Sequence, residues 1–284
     1  MRKITVAATQ MRCLWDKEAT LKKAEQLVRD AAKSGANIIL LQELFETPYF
    51  CQTHNFEYLE LSTPPEKNAA ILKMRQLAKE LAVVVPVSFY ERAGNTAFNS
   101  IAVIDADGSV LGIYRKTHIP DGIPYAEKFY FTPGDTGFKV WKTTYGSIGI
   151  GILGIMVSKR RAVWRLWAQS CFICYSYRLG PYLKADSMPH WQNVMRGHSA
   201  ANLVPVIASN RVGEETEKDT SITFYGSSFI TDHHGCIVEK MNREDEGFVL
   251  HTFDLDILAR ERREWGVFRD RRPEMYRTIL THGK

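Results

Sequence analysis

The 284-residue chain predicts a layered α/β sandwich, two β-sheets with helices outside, and three observations predict it. Apolar, β-branched runs of the buried-strand kind alternate with segments of helical apolar spacing. Hairpin signals recur between them, so antiparallel pairs mix with helical crossovers. Neither an internal repeat nor a flexible linker divides the chain, which reads as one domain over residues 1–284.

In order, residues 4–9 make a strand, and 17–34 a helix with Leu21, Ala24, Leu27, Val28 and Ala31 on one face. Gly35 stands where a C-terminal cap is expected, and 37–41 form the next strand. A helix over 66–81 leads to the β-branched run 83–90. Runs 99–104 and 110–114 flank Asp105-Ala106-Asp107-Gly108, a hairpin signal, and 140–144 and 147–152 flank another at Tyr145-Gly146. A helix over 190–202 and a strand over 204–209 follow. Runs 226–230 and 237–239 form a hairpin around His234-Gly235, where His233 and His234 read as solvated. A strand over 248–255 and a charged helix over 257–265 close the pattern.

A hydrophobic content of 45% supplies a full core and excludes a disordered chain. With no apolar run of about 18 residues, no membrane span is expected. The first ten residues read as a strand rather than a secretory signal. Cys13, Cys51, Cys171, Cys174 and Cys236 form no disulfide framework, which predicts a cytoplasmic protein. The C-x-x-C pair has no second pair or suitably spaced histidines to make a metal site of it. Net charge is +5, and it is unevenly spread. Between Ser147 and Ala185 lie Lys159, Arg160, Arg161, Arg165, Arg178 and Lys184 and no acid, so the remainder is close to neutral. Interleaved Trp164, Trp167, Tyr175 and Tyr177 give this stretch the composition of a nucleic-acid surface. It matches nothing in the protein around it, however, and no nucleic-acid partner is expected.

Three segments each carry a polar residue that a covalent amide hydrolase needs. Ile38-Ile39-Leu40-Leu41-Gln42-Glu43 ends an apolar strand in a carboxylate, where desolvation suits proton transfer. Tyr114-Arg115-Lys116-Thr117-His118 places a lysine just after a second strand, and Tyr125-Ala126-Glu127 adds a carboxylate beside aromatic residues. Taken singly, Glu43 and Lys116 read as surface ion-pairing residues. Tyr145-Gly146-Ser147-Ile148-Gly149-Ile150-Gly151-Ile152 then runs up a strand to Leu153, where a cysteine would complete the set.

With Lys116-Thr117-His118-Ile119-Pro120-Asp121, His190-Trp191-Gln192, Ala208-Ser209-Asn210-Arg211 and the Trp265–Pro273 stretch, these segments resemble the nitrilase (carbon–nitrogen hydrolase) superfamily. They are most similar to its N-carbamoylputrescine amidase branch, over about residues 1–152 and 186–280. The resemblance implies an αββα four-layer sandwich, a homo-oligomer, and neither metal nor organic cofactor. It implies a small-molecule substrate, N-carbamoylputrescine or a related carbamoyl amine, and catalysis by thiol acylation. Glu43 would be the general base, Lys116 the oxyanion stabiliser, and Glu127 the residue orienting Lys116 or the substrate. Tyr49, His118 and Asn210 are candidate substrate contacts, each equally readable as packing or structural hydrogen bonding.

The family has Gly-Ile-Cys-Trp-Asp-x-Trp-Phe-Pro-Glu where this chain has Gly151-Ile152-Leu153-Gly154-Ile155-Met156-Val157-Ser158. A leucine cannot be a nucleophile. The pattern stays lost until Asp186-Ser187, which points to a displaced reading frame over 153–185 rather than a point substitution. Codons TTG GGN ATH ATG GTN TCN for Leu-Gly-Ile-Met-Val-Ser, read one base later, force Trp and then Trp three positions on, with Phe and Pro available next. That is the family's Trp-x-x-Trp-Phe-Pro. The sequence therefore predicts an inactive chain, with a helix and a central strand of the fold put at risk. Cys171 and Cys174, far past the strand end, would not replace the nucleophile.

Overall fold

The computed structural model describes residues 2–122, 124–152, 171–175 and 186–280, with backbone alone at 171–175 and 277–280. The first half runs β1 (Lys3–Gln10), α1 (Lys17–Lys33), β2 (Ile38–Leu40), α2 (Ala69–Leu81), β3 (Val85–Ala93), β4 (Thr96–Ile104) and β5 (Val110–Arg115). Then come α3 (Glu127–Tyr130), β6 (Val140–Thr143), β7 (Gly146–Ile152), β8 (Cys171–Tyr175), α4 (Met188–Asn202) and β9 (Val206–Ser209). The chain continues with β10 (Val212–Glu217), β11 (Thr220–Tyr225), β12 (Phe229–Thr231), β13 (Ile237–Lys240), β14 (Gly247–Asp254) and α5 (Leu255–Glu264).

Besides a separate two-stranded β10-β11 ribbon, the strands make two large sheets. One joins β14-β1-β2 to β3-β4-β5 through a parallel bridge between Ile38 and Val84, sealed by Ile39 N donating to Val84 O at 2.9 Å. The other has the order β13-β12-β9-β8-β7-β6. Side chains alternate across the first sheet as the strand period of two requires. Ile4, Val6, Ala8, Ile38 and Leu40 face inward onto Ile148, Ile150, Ile152, Ile207 and Ile230 of the second sheet. Ala7, Ile39 and Leu41 face outward onto α1 and α2 through Ala24, Val28, Ala31, Ile71, Met74 and Leu77. Trp191 and Met195 of α4 cover the second sheet at Val206, Ala208 and Phe229. The architecture is the αββα sandwich.

Local chemistry explains the helix ends. Asp16 caps α1 by accepting from Ala19 N at 2.9 Å, and Gly35 follows its end in the left-handed region at φ 96°. The helix expected over 66–81 starts at Ala69 instead, because Asn68 caps it from Ile71 N at 2.9 Å. Two hairpins went unread in the sequence. The β3–β4 turn uses Gly94-Asn95, with Gly94 at φ 61°, and carries β4 back to Thr96. The β10–β11 pair is hidden because Glu214, Glu215 and Glu217 are poor strand formers by composition. Glu215 is held by Arg211 and Glu217 by the Tyr58 hydroxyl.

Two further expectations are corrected. The altered stretch does not leave the second sheet without its central strand. Backbone at Cys171–Tyr175 pairs in parallel with β7 on one side and β9 on the other. All six of its basic residues lie outside the described residues. Nor are His233 and His234 simply solvated. Both reach the Glu261 carboxylate on α5, and His233 is largely covered. No helix among the described residues is long and apolar enough to cross a membrane.

Candidate functional site

The site forms where strands of both sheets end. After β2 the chain turns sharply, with Leu44 in the left-handed region at φ 47°. A leucine there costs about 1–2 kcal/mol. The turn is held from several sides: Leu44 N donates to Ser88 Oγ at 2.9 Å, and Arg211 Nη2 donates to the carbonyls of Glu43 and Leu44 at 2.9 and 2.8 Å. Arg211 is fully buried, and its charge is met by both Glu215 oxygens, at 2.9 and 2.8 Å from Nη1. The Glu215 carboxylate in turn accepts from Tyr49 N. This frame fixes the direction of the Glu43 side chain.

Lys116 follows β5. Its N donates to Asn99 O and its O accepts from Gly134 N, both at 2.8 Å. Gly134 is needed for that approach, since a Cβ there would lie 2.2 Å from Arg115 O. Lys116 Nζ donates to Glu127 Oε2 at 2.6 Å and to Glu43 Oε1 at 3.1 Å. Glu127, the first residue of α3, also accepts from the Tyr49 hydroxyl at 2.7 Å on Oε1. Asn99 Nδ2 donates to Glu43 Oε1 at 2.6 Å. Glu43, Lys116 and Glu127 are 8%, 4% and 1% exposed, so one ammonium lies between two carboxylates away from bulk water. Glu43 Oε1 holds two donors, and among the described residues none reaches Oε2.

Aromatic residues wall this corner: Tyr49, Phe50, Tyr90, Tyr130, Phe131 and Phe224. Burial pushes the Tyr130 phenol up to about 12, and that of Tyr90 higher still, so both stay neutral. A small open cleft lies beside Leu44, Glu46, Thr47, Phe50 and Tyr90, but none of Glu43, Lys116 and Glu127 lines it. Its Glu46 carboxylate, raised by burial, accepts from Asn68 Nδ2 at 2.9 Å next to the cap of α2.

Of the residues singled out in the sequence, the structure brings Glu43, Lys116, Glu127 and Tyr49 together. His118 is exposed, two residues beyond Lys116. Asn210 is fully buried, and its Nδ2 donates to Gly226 O at 2.8 Å. Leu153 lies outside the described residues. The strand before it is placed: Ile152 is level with Tyr175 and Tyr175 with Ser209, and Arg211, two residues past Ser209, bonds to Glu43 O. The end of β7 thus lies on the same edge of the sandwich as the polar trio. Sequence reasoning passed over Asn99, Arg211 and Glu215. The first carried a signal, an asparagine opening an apolar strand where asparagine is disfavoured.

Comparison with known proteins bears on this geometry. The family model described as carbon-nitrogen hydrolase matches residues 5–263. The chain is 46% identical to an N-carbamoylputrescine amidase of Oryza sativa subsp. japonica, over 98% of this chain and 95% of that protein. It is 44% identical to a citrullinase of Francisella tularensis, over 99% of each. A solved carbon-nitrogen hydrolase from Helicobacter pylori superposes with a TM-score of 0.91 at 32% identity, covering 99% of this chain and 100% of that one.

Proposed function

Because the chain belongs to the carbon–nitrogen hydrolase family, which acts on non-peptide carbon–nitrogen bonds, we propose that its site is built to hydrolyse N-carbamoylputrescine to putrescine, carbon dioxide and ammonia, and that this copy lacks the nucleophile to do so. In this reading a cysteine thiol at position 153 attacks the carbamoyl carbon. Glu43 takes the thiol proton through Oε2 and passes it to the leaving amine. Lys116 stabilises the tetrahedral oxyanion, and Glu127, itself fixed by Tyr49, holds Lys116 in place. Asn99 keeps Glu43 Oε1 occupied and its other oxygen free. Water then releases the carbamoyl group. The observation that carries the reading is the buried Glu43–Lys116–Glu127 chain of contacts at 3.1 and 2.6 Å.

Leu153 has no atom that can attack a carbonyl, and the codon pattern of 153–158 supports a displaced frame. Cytoplasmic location and homo-oligomeric assembly belong to the same reading. The test uses two proteins. Protein of this sequence should release no ammonia from N-carbamoylputrescine above a heat-killed control, and turnover would overturn the inactivity. Sequencing the source gene across codons 150–188 should reveal a cysteine codon before Trp-x-x-Trp-Phe-Pro, and the frame-restored protein should turn over. Failure of that protein on any carbamoyl amine would sink the lineage assignment. A second reading, citrulline as substrate, is favoured by the near-equal likeness to the citrullinase. The ratio of kcat/KM for the two ureido compounds decides between them. Should the gene stand as written, the remaining reading is a non-catalytic homologue that acts in assembly.

A further inference from the structure

We propose that His233, His234 and Glu261 form a site for a zinc-class divalent ion that pins the β12–β13 hairpin of the second sheet to α5, apart from the reaction site. His233 Nε2 lies 2.6 Å and His234 Nε2 3.1 Å from the same oxygen, Glu261 Oε2. All three ligand atoms lie within 4.8 Å of one another. Neighbouring side chains on a strand point to opposite faces. Here the two rings stand side by side, centroids 4.0 Å apart at 41°, because the chain is turning.

The turn is firmly built. Asp232 Oδ1 accepts from both His234 N and Cys236 N at 2.9 Å. Gly235, at φ 84°, lies so close to α4 that a Cβ would meet Arg196 O at 2.6 Å, and Arg196 Nε donates to Gly235 O at 2.9 Å. Glu261 comes from a helix, and the Trp265 ring lies 5.8 Å from that of His234. Arg262, the next cation along the helix, is turned onto the Phe268 ring instead. Ligands on elements held this way need little rearrangement to bind.

Two imidazole nitrogens and one carboxylate oxygen suit zinc, nickel or copper better than magnesium or calcium, which take oxygen donors. Tetrahedral zinc with bonds of about 2.0–2.1 Å sets its donors roughly 3.3 Å apart, so the two histidine-to-Glu261 separations need open by less than about 1 Å. His234 is 41% exposed at its side chain, which leaves solvent the fourth position. An ion bound only by the folded chain raises its melting temperature by mass action.

Zinc chloride titrated calorimetrically into chelator-treated full-length protein should bind one-to-one at this site, and saturation should raise the melting temperature by a few degrees. His234→Ala and Glu261→Gln should each weaken that binding at least about tenfold and abolish the shift, whereas Cys236→Ser should leave both unchanged. Nickel should quench Trp265 fluorescence, an effect lost in His234→Ala and in Trp265→Phe. Zinc binding that survives both ligand substitutions would locate the metal elsewhere and overturn the proposal, as would an affinity weaker than millimolar. Should a ligand variant misfold, nickel quenching with Trp265→Phe as the control decides.

Discussion

Replacing Lys116 by methionine isolates what the buried cation does for the fold. The stem volume is nearly conserved, so lost packing costs under about 1 kcal/mol. What goes is the ammonium that bonds to Glu127 at 2.6 Å and Glu43 at 3.1 Å. Removing one member of a buried ion pair leaves an uncompensated charge and costs about 3–5 kcal/mol. Here two carboxylates, each at most 8% exposed, are left facing each other, so the upper part of that range is expected at pH 7. Urea unfolding of purified protein, followed by tryptophan fluorescence, should show a lower midpoint at unchanged slope. Without the cation the folded state takes up a proton more readily than the unfolded chain. The penalty is therefore fully present above the carboxylate range and relieved as pH falls toward about 4. Glu127→Gln in the same background should recover at least half of the loss at pH 7. A penalty below about 1 kcal/mol at pH 7, or one of equal size at pH 4.5, would refute the three-charge description.

Further outcomes are expected from the same geometry. Asn99→Ala, which removes a 2.6 Å bond to the Glu43 carboxylate, should cost about 1.5–3 kcal/mol in urea unfolding, and in the frame-restored protein should lower kcat more than it raises KM. Burial pushes the Cys13 thiol up to about 12, leaving roughly one thiolate in ten thousand at pH 8. Peptide mapping after iodoacetamide should find exposed Cys236 alkylated well before Cys13 in native protein, with the difference erased in urea. Ala82 ends α2 in the left-handed region at φ 52° with its side chain exposed, so Ala82→Gly should stabilise the protein by about 0.5–1 kcal/mol in thermal unfolding. Arg211→Met leaves Glu215 buried without its cation and frees the Glu43 turn. Soluble yield should collapse, and Arg211→Lys should restore it only partly.

Period-two and helical apolar patterns were enough to determine the layered sandwich, because burial on one face or two is written residue by residue into an apolar run. Strand 37–41 and helix 17–34 could be placed to within a residue or two for that reason. Glu43, Lys116 and Glu127 stood out as a set because their three motifs follow the family order, although Glu43 and Lys116 taken singly read as surface ion-pairing residues. Leu153 stood out too, in the place where the family motif has a cysteine. Partners that are distant in sequence were decided only by tertiary structure. Arg211 meets Glu43 across 168 positions, and Asn99 meets it across 56, and no local pattern encodes either approach. The acidic β10 strand runs against local propensity, and the Tyr58 hydroxyl that meets its Glu217 comes from 159 positions away. His233 and His234 read as a wet turn until α5 brought Glu261 to them from 28 residues away. Which face an apolar residue buries is a local property of the chain. Which charge meets a buried charge is settled only when the sheets close.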